Sequence, residues 1–266
     1  MRLSERIIAI KSGGAMASAV AWCLYQARLR HIVILETPHP LAVRRTVSFC
    51  EAVHDSFCRI EGIRGVRVED AAQIQRVWED GDLPVLVDPA WDSLKVVRPD
   101  VLVDAILAKR NLGTRMADAP LVIGLGPGFE ASKDVHLVIE TNRGHDLGRI
   151  ITQGLAVPNT GIPGAIGGFT KERVLRAPVA GKLVWNCALG DMVDKGQVLG
   201  RVDGQPVTAE ISGLLRGQIR THDHVPQGLK LGDIDPRGDT SYLNTISDKG
   251  RAIGGAVLEC IMRTYN

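Results

Sequence analysis

The chain has 266 residues, of which 45% are hydrophobic and 23% are charged, and this composition is that of an ordinary globular protein. A formal net charge of +2 and an aromatic content of 4% give no electrostatic or stacking reason to expect a nucleic-acid partner. The N-terminal sequence has no signal-peptide hydrophobic region, and no stretch approaches the roughly 20 apolar residues of a membrane-spanning helix. We therefore expect a cytoplasmic protein without a membrane partner.

The five cysteines are odd in number and scattered, and no two of them form a CxxC pair. This pattern disfavours a disulfide framework and a zinc ribbon. Cys50, His54 and Cys58 recur at intervals of four and would share one face of a helix. Such a row is more typical of a partly buried helix face than of a metal site. We predict no metal site.

The chain begins with a pattern that predicts a βαβ unit, in which two parallel strands are joined by a right-handed crossover. A strand, a glycine turn, a helix and a second strand are predicted in this order: residues 7–10, 12–14, 15–28 and 31–35.

The glycine turn of this unit matches the dinucleotide-binding pattern GxGxxG only at Gly14, because Ser12 and Ala17 replace the outer glycines. The helix N-terminus at Gly13 and Gly14 still suits a phosphate. Glu36 follows the second strand, about where a ribose-binding carboxylate would lie. Close packing of helix on strand, with no ligand, remains the alternative interpretation of the turn.

The next segments continue the alternation of helix and strand. A helix over residues 41–54 carries Arg44 and Arg45, and the later predictions are a helix over 66–77, a strand over 83–88 and a helix over 101–108. Up to about residue 150 this alternation predicts a Rossmann-like α/β domain with a parallel sheet.

Two short strands, residues 121–123 and 136–139, are each followed by polar or glycine-rich sequence. The candidate ligand-binding residues after them are Gly124, Gly126, Gly128, Asn142, Arg143, His145 and Arg149. The ends of neighbouring strands in an open α/β sheet form the edge where ligands usually bind. We expect the amides around Pro127 and the guanidinium of Arg143 to face one hollow that holds an anion. The alternative is two tight turns with solvated side chains.

Small residues, Gly and Pro dominate residues 154–168, which predicts a long loop. Loops of this length in compact proteins are usually linkers or functional loops. Asn159 and Thr160 could present polar groups to the same sheet edge, or they could cap turns through their own backbone.

From residue 171 onwards, short apolar runs between Gly, Pro and Asp predict a small all-β unit. The segment APVAG at 177–181 is echoed by AEISG at 209–213, which indicates an internal repeat. The unit resembles the barrel-sandwich hybrid of biotinyl and lipoyl carrier domains, whose modified lysine lies at a hairpin tip. Here the tip reads VDGQP at 202–206 and has no lysine, so we expect neither biotin nor lipoate.

Residues 247–263 predict a helix with a broad apolar stripe that needs a surface to cover. We therefore predict three parts: an α/β domain over residues 1–170, a β domain over 171–237, and a segment 238–266 whose helix packs back on the first domain.

The motif LGPGFxxxxDVHLVIETNRGHDLGRII, followed by PNTGIPGxIGGxxxERVLRAPVAG, resembles the YqeB-type accessory proteins of selenium-dependent molybdenum hydroxylase systems. The GGAMAS turn and the segment PLAVRRTVSFCEAV also look like that family, and the resemblance covers nearly the whole chain. It implies a role in maturation of the enzyme or insertion of its cofactor. A molybdenum hydroxylase or other maturation proteins would be the partners, and a homo-oligomer is compatible with it. The Rossmann-like half is akin to XdhC-type proteins, which handle molybdenum cofactor.

A molybdopterin-type cofactor carries phosphate, and such an anion is bound by backbone amides, helix N-termini and arginine side chains. Two other functions remain open at this point. The chain could be an NAD(P)- or nucleotide-dependent oxidoreductase that uses the edge formed by Gly13, Gly14 and Glu36, or it could be a non-catalytic scaffold. Cys23, Cys50 and Cys58 are candidate carriers of selenium, provided that their thiols are exposed and acidic.

Overall fold

A computed structural model of the chain describes residues 2–266. The chain divides into two compact units. The first comprises the chain up to Pro40 together with Val47–Asn159 and Ile246–Asn266, and the second comprises Leu41–Thr46 and Thr160–Thr245. None of the helices within residues 2–266 has both the length and the apolar character that a membrane crossing requires.

The first unit is an α/β structure built on a nine-stranded sheet. Its strands are β1 (Ile8–Lys11), β2 (Ile32–Glu36), β3 (Phe57–Ile60), β4 (Ile63–Val68), β5 (Leu83–Val87), β6 (Val101–Asp104), β7 (Leu121–Leu125), β8 (Glu130–Ala131), β9 (Leu137–Ile139), β10 (Ile150–Ile151) and β11 (Gly154–Leu155). The order in the large sheet is β10-β9-β7-β6-β1-β2-β5-β4-β3, and β8 and β11 form a separate pair. All pairings in the large sheet are parallel except β3 with β4 and β9 with β10.

The helices of the first unit are α1 (Ala15–Gln26), α2 (Glu51–Asp55), α3 (Ile74–Glu79), α4 (Leu94–Val97) and α5 (Asp248–Tyr265). Ser247 caps α5 by accepting a hydrogen bond from the amide of Gly250. A Cβ atom at Gly254 would lie 2.9 Å from the carbonyl oxygen of Ala19, so glycine permits the close approach of α5 to α1. The C-terminal helix therefore packs against the first helix of the same unit.

Apolar layers cover both faces of the large sheet. Successive residues of β1 alternate between them, with Ile8 and Ile10 in one hydrophobic cluster and Ala9 in the other. Ile253, Val257 and the rest of the buried stripe of α5 belong to the same cluster as Ile8. Burial on both faces explains why the central strands are continuous apolar runs.

The second unit consists of antiparallel strands: β12 (Val174–Arg176), β13 (Gly181–Trp185), β14 (Met192–Val193), β15 (Val198–Val202), β16 (Gln205–Thr208), β17 (Gly213–Gln218), β18 (His222–Val225) and β19 (Lys230–Asp235). They form two four-stranded sheets, β12-β19-β17-β14 and β16-β15-β13-β18. The two sheets have the same strand order if β12, β13, β14 and β15 are exchanged with β16, β17, β18 and β19, respectively. The echoed segments at 177–181 and 209–213 occupy equivalent places, before β13 and before β17.

The structure corrects three of the predicted helices. Residues 101–104 form β6, a central strand whose apolar run reflects burial on both faces rather than a helical stripe. Residues 66–77 are divided between the end of β4 and the start of α3. In place of a helix over 41–54 there are a short 3-10 helix, Arg45–Val47, and α2.

The row of Cys50, His54 and Cys58 is corrected together with that helix. The backbone amide of Cys50 donates to the carbonyl of Gly13 at 2.9 Å, which holds this segment against the first turn. Cys58 lies in β3, so the three side chains do not share a helix face.

Candidate functional site

The centre of the large sheet is a topological switch point. β1 lies between β2 and β6. From β1 the chain continues to β2 on one side of the sheet, and from β6 it continues to β7 on the other side. The carboxyl ends of strands around such a point form the crevice in which open α/β sheets bind ligands. Among the predicted residues, Glu36 ends β2, and the ends of β1, β7 and β9 are followed by Gly13, Gly14, Gly126, Gly128 and Asn142. The structure therefore brings these six positions to one edge of the sheet.

The turn after β1 is held by several hydrogen bonds. The amide of Gly13 donates to a carboxylate oxygen of Glu36 at 2.7 Å, and the amide of Gly14 donates to the hydroxyl of Ser12 at 3.2 Å. A Cβ atom at Gly13 would lie 2.6 Å from the backbone nitrogen of Cys50, so only glycine fits there. No side chain caps the N-terminus of α1, which begins at Ala15, and its first turn carries no acidic residue.

Glu36 is buried, with 8% of its surface exposed. One carboxylate oxygen accepts from Gly13, and the other accepts from the amide of Thr37 at 2.7 Å. Glu36 therefore ties the end of β2 to the turn after β1. A ribose hydroxyl bound at Glu36 would have to compete with these two backbone donors.

The glycines in and just after β7 allow close packing within the first unit. A Cβ atom at Gly124 would lie 2.6 Å from the ring of Phe129, and one at Gly126 would lie 2.5 Å from the hydroxyl of Thr141. At Gly128 it would lie 2.5 Å from the backbone nitrogen of Arg110. Protein atoms thus occupy the space beside these glycines, in place of the open hollow that we expected.

Arg143 makes a bidentate ion pair with Asp248, in which its two terminal nitrogens lie 2.7 and 2.9 Å from the two carboxylate oxygens. The amide of Gly126, on the other side of the expected hollow, donates to the carbonyl of Ile139 at 2.8 Å. The two groups that we expected to share one anion are both engaged within the protein.

The loop after β9 is organised by Glu140, whose residue surface is 2% exposed. Its carboxylate accepts from the amides of Asn142 and Val157 at 2.6 and 2.7 Å. His145 is exposed, and Arg149 pairs with Asp146 at 3.1 Å. A cavity of about 360 Å³ lies here, and its lining includes Glu140, Asp146, Arg149, Ile150, Leu155 and Val157.

The remaining predicted residues lie outside this edge. Arg44 belongs to the second unit and donates to the carbonyl oxygens of Tyr242 and Thr245, at 2.8 and 3.1 Å. Burial, reinforced by the positive charge of Arg216, lowers the pKa of Arg44 to about 10. Arg45 also belongs to the second unit and donates to the carbonyl of Gln218, at 2.8 Å.

The two loop residues Asn159 and Thr160 are exposed. Asn159 is the last residue of its segment in the first unit, and Thr160 begins the second. The hydroxyl of Thr160 accepts from the amide of Ile162 at 3.2 Å, so it caps a local turn.

A buried charged cluster at the switch point was missed by the sequence analysis. Lys11, the last residue of β1, is 1% exposed and donates to the hydroxyl of Thr114 at 2.7 Å. That hydroxyl donates to Asp104, the last residue of β6, at 2.6 Å. The ammonium of Lys11 lies 3.7 Å from the centre of the Trp91 ring. The signal in the sequence was a charged residue at the end of an apolar run: Lys11 ends β1 and Asp104 ends β6.

Strained backbone marks the same edge. Ser12, Trp91, Leu107 and Lys109 have φ values of 79°, 59°, 59° and 62°. They follow β1, β5 and β6, and a positive φ is unfavourable for side chains such as these. Conformations of this kind cluster at binding and catalytic sites, where the surrounding structure imposes them.

The candidate selenium carriers have unfavourable surroundings for a thiolate. Burial raises the pKa of Cys23, raises that of Cys50 well above its ordinary value, and raises that of Cys58 to about 12. A thiol must be exposed and acidic to react readily, and burial acts against both.

The sequence matches no protein-family model. It is 46% identical over 258 residues to the protein YqeB of Escherichia coli (strain K12), which is described as uncharacterized. That match covers 97% of this chain and 48% of the relative, so the chain spans about half the length of the curated protein that it matches.

Two solved structures are similar to the chain at low sequence identity. "TcdA (CsdL)" has 13% identity and a TM-score of 0.38, with 98% of this chain and 89% of that chain covered. An aspartoacylase family protein from Mesorhizobium loti has 10% identity and a TM-score of 0.27, with 86% and 85% covered.

Proposed function

The chain belongs to the YqeB-type family, and from this we propose that it is an accessory factor in the maturation of a selenium-dependent molybdenum hydroxylase. It would bind an anionic, phosphate-bearing cofactor or intermediate at the carboxyl edge of the large sheet. The resemblance of the sequence motifs supports the molybdenum and selenium part of the proposal. The geometry of the edge supports the anionic ligand.

The observation that carries the ligand part is the start of α1 at the switch point. The first amides of a helix have no partners within the helix, and they attract anions. Within residues 2–266 no side chain caps the N-terminus of α1 and no carboxylate lies in its first turn, although the amides of Gly13 and Gly14 just before it already donate to Glu36 and Ser12. This arrangement supports a phosphate at the N-terminus of α1.

We also propose that the second unit is a barrel-sandwich hybrid. The exchange of β12–β15 with β16–β19 supports an internal pseudo-twofold repeat of the kind that carrier domains have. The hairpin between β15 and β16 carries Asp203 and Gly204 at its tip, where carrier domains present a lysine. The unit would then serve as a docking module for a molybdenum hydroxylase or another maturation protein.

For domain organisation we propose an α/β domain over residues 1–170, a β domain over 171–237, and a segment 238–266 whose helix completes the first domain. We propose a cytoplasmic location, and a homo-oligomer remains compatible with this organisation.

A nucleotide-dependent oxidoreductase is the second candidate. Glu36 is the last residue of β2, at the position of a ribose-binding carboxylate, and this position favours an oxidoreductase. The two backbone hydrogen bonds that Glu36 already accepts count against it. A scaffold without a ligand is the third candidate.

Thermal-shift measurements with NAD, ATP, sodium molybdate and a molybdopterin nucleotide separate these candidates. A ligand present at 100 times its Kd stabilises a protein by about 2.7 kcal/mol, which is readily measured. We expect the molybdopterin nucleotide to raise the melting temperature, and we expect NAD to have no effect.

Met16→Glu is the informative variant, because it places a carboxylate in the first turn of α1, where it would repel an anion. We expect it to abolish the shift, while Arg143→Ala retains it because Arg143 pairs with Asp248. Stabilisation by NAD that Glu36→Gln removes would instead identify the oxidoreductase. If none of the four compounds shifts the wild type, the scaffold is correct.

A further inference from the structure

We propose that Lys11 binds an anionic group of the ligand directly, on the face of the sheet opposite to α1, and that Trp91 covers Lys11 when no ligand is bound. The inference rests on the proposed function, because it assigns the charged partner within the same sheet edge. It concerns a residue that lies just before the turn at Ser12, Gly13 and Gly14.

The ammonium of Lys11 is buried with few partners. It has three N–H donors, and among residues 2–266 the only acceptor within hydrogen-bond distance is the hydroxyl of Thr114, at 2.7 Å. The ammonium nitrogen of Lys11 also makes a cation–π contact with Trp91, at 3.7 Å from the centre of the ring. A lysine this deeply buried ordinarily has a carboxylate partner.

The nearest carboxylate reaches Lys11 only through another side chain. Asp104 accepts from the hydroxyl of Thr114 at 2.6 Å and from the amide of Ile106 at 3.2 Å, and neither of its oxygens lies within hydrogen-bond distance of Lys11. Burial lowers the pKa of Lys11, while the negative charges of Asp104 and Asp118 act in the opposite direction. A bound anion that contacts the ammonium of Lys11 would be the direct, negatively charged partner that no carboxylate provides within residues 2–266.

Arg115 is the other charge that acts on Lys11, and it is positive. The charged groups around the ammonium are thus two carboxylates at a distance and one guanidinium.

Trp91 has the properties of a removable cover. It is partly exposed and lies in the turn between β5 and α4. Its φ of 59° is rare for a bulky residue, so the turn holds it in an unfavourable backbone conformation. The ring lies against the ammonium of Lys11, and its π face interacts with that cation more weakly than a phosphate oxygen would.

A purely structural role for Lys11 is the competing explanation, in which the side chain only fills the centre of the sheet edge. Two measurements separate it from ligand binding, and both use the full chain. In the first, Lys11→Met keeps the apolar length of the side chain and removes the charge. Lys133→Met is the matched control, because Lys133 lies on an exposed turn and pairs with Glu130.

We expect the molybdopterin nucleotide to bind Lys11→Met at least tenfold more weakly than the wild type, and to bind Lys133→Met with unchanged affinity. Equal affinity for all three proteins would overturn the role of Lys11 and leave the proposed function intact. A wild type that responds to no compound would overturn both.

The second measurement follows acetylation of Lys11 by mass spectrometry, with exposed Lys95 as the internal reference. Trp91→Ala should increase the rate at Lys11 at least tenfold, and the molybdopterin nucleotide should suppress that increase. Trp91→Phe, which keeps an aromatic ring, should stay close to the wild-type rate. A rate at Lys11 that does not change in Trp91→Ala would show that Trp91 is not a cover.

Discussion

The two units handle buried charge in different ways. In the second unit, Asp233 accepts from both Arg173 and Arg216, and the distance to Arg216 is 2.8 Å. Arg216 also pairs with Asp235 at 2.7 Å, and Arg237 reaches the same carboxylate at 2.7 Å. Each buried carboxylate therefore meets two guanidinium groups directly: those of Arg173 and Arg216 at Asp233, and those of Arg216 and Arg237 at Asp235.

Three buried carboxylates of the first unit instead accept from backbone amides and hydroxyl groups. Glu36, Glu140 and Asp104 fix the turns at the carboxyl edge, and Lys11 meets no carboxylate directly. The guanidinium groups of the second unit meet their carboxylates directly, although the Nε atoms of Arg173 and Arg216 have no hydrogen-bond partner within residues 2–266. Lys11 reaches its nearest carboxylate only through the hydroxyl of Thr114. Direct pairing gives the charges of the second unit a role in the stability of the fold, and the indirect contact of Lys11 with Asp104 is the observation on which the proposed site at the sheet edge rests.

The largest effect should come from breaking the network of the second unit. Asp233→Asn would leave Arg173 and Arg216 buried without the carboxylate that they share. Breaking a buried pair by removing one partner costs about 3–5 kcal/mol, so we expect a loss of this size in the free energy of unfolding in urea. Asp223→Asn is the control, because Asp223 is exposed and pairs with Lys182. This variant should unfold at the same urea concentration as the wild type. Similar unfolding of both variants would contradict the structural role of the network.

An intermediate effect is expected at Glu140. In Glu140→Gln one oxygen becomes an NH2 group, which cannot accept from the amide of Asn142 or Val157. Leaving one buried donor unsatisfied costs about 1–3 kcal/mol. Hydrogen exchange of the amides of Asn142 and Val157 should quicken, and Asp146→Asn, at a half-exposed position, should leave both rates unchanged. Unaltered exchange in Glu140→Gln would show that its carboxylate does not hold the loop.

The smallest effect on stability is expected at Lys11. Replacing a buried charge by an apolar side chain of similar length is often neutral, so Lys11→Met should change the free energy of unfolding by no more than about 1 kcal/mol near neutral pH. Its pH dependence is more diagnostic. Burial holds the pKa of Lys11 below its ordinary 10.5, so the unfolded chain binds more protons between the two values.

Stability therefore rises with pH across that interval for the wild type, and this contribution is missing from Lys11→Met. The difference between the two proteins should shift in favour of the wild type as the pH is raised toward 10.5. Urea unfolding at a series of pH values measures this difference. A difference that does not change with pH would contradict the burial of a titrating ammonium.

Much of the framework could be predicted from local pattern. Short apolar runs identified β1, β2, β5 and β7, and apolar periodicity identified α1 and α5 to within three residues at each end. These elements could be predicted because a strand or a helix places its buried apolar residues at a fixed period along the sequence. The same rule failed at residues 101–104, since a strand buried on both faces has no alternation to detect.

The site depended more heavily on tertiary structure. The sequence placed glycine and polar residues after the strands, and parallel pairing brings them to one edge. Which atoms they meet was decided by the order of the strands. Arg143 meets Asp248, and Lys11 meets Thr114, more than 100 residues away. The sequence by itself determined the periodic elements and the repeat, because both are local. Only the fold decided which charges are paired and which one is left beneath Trp91, because such contacts join distant parts of the chain.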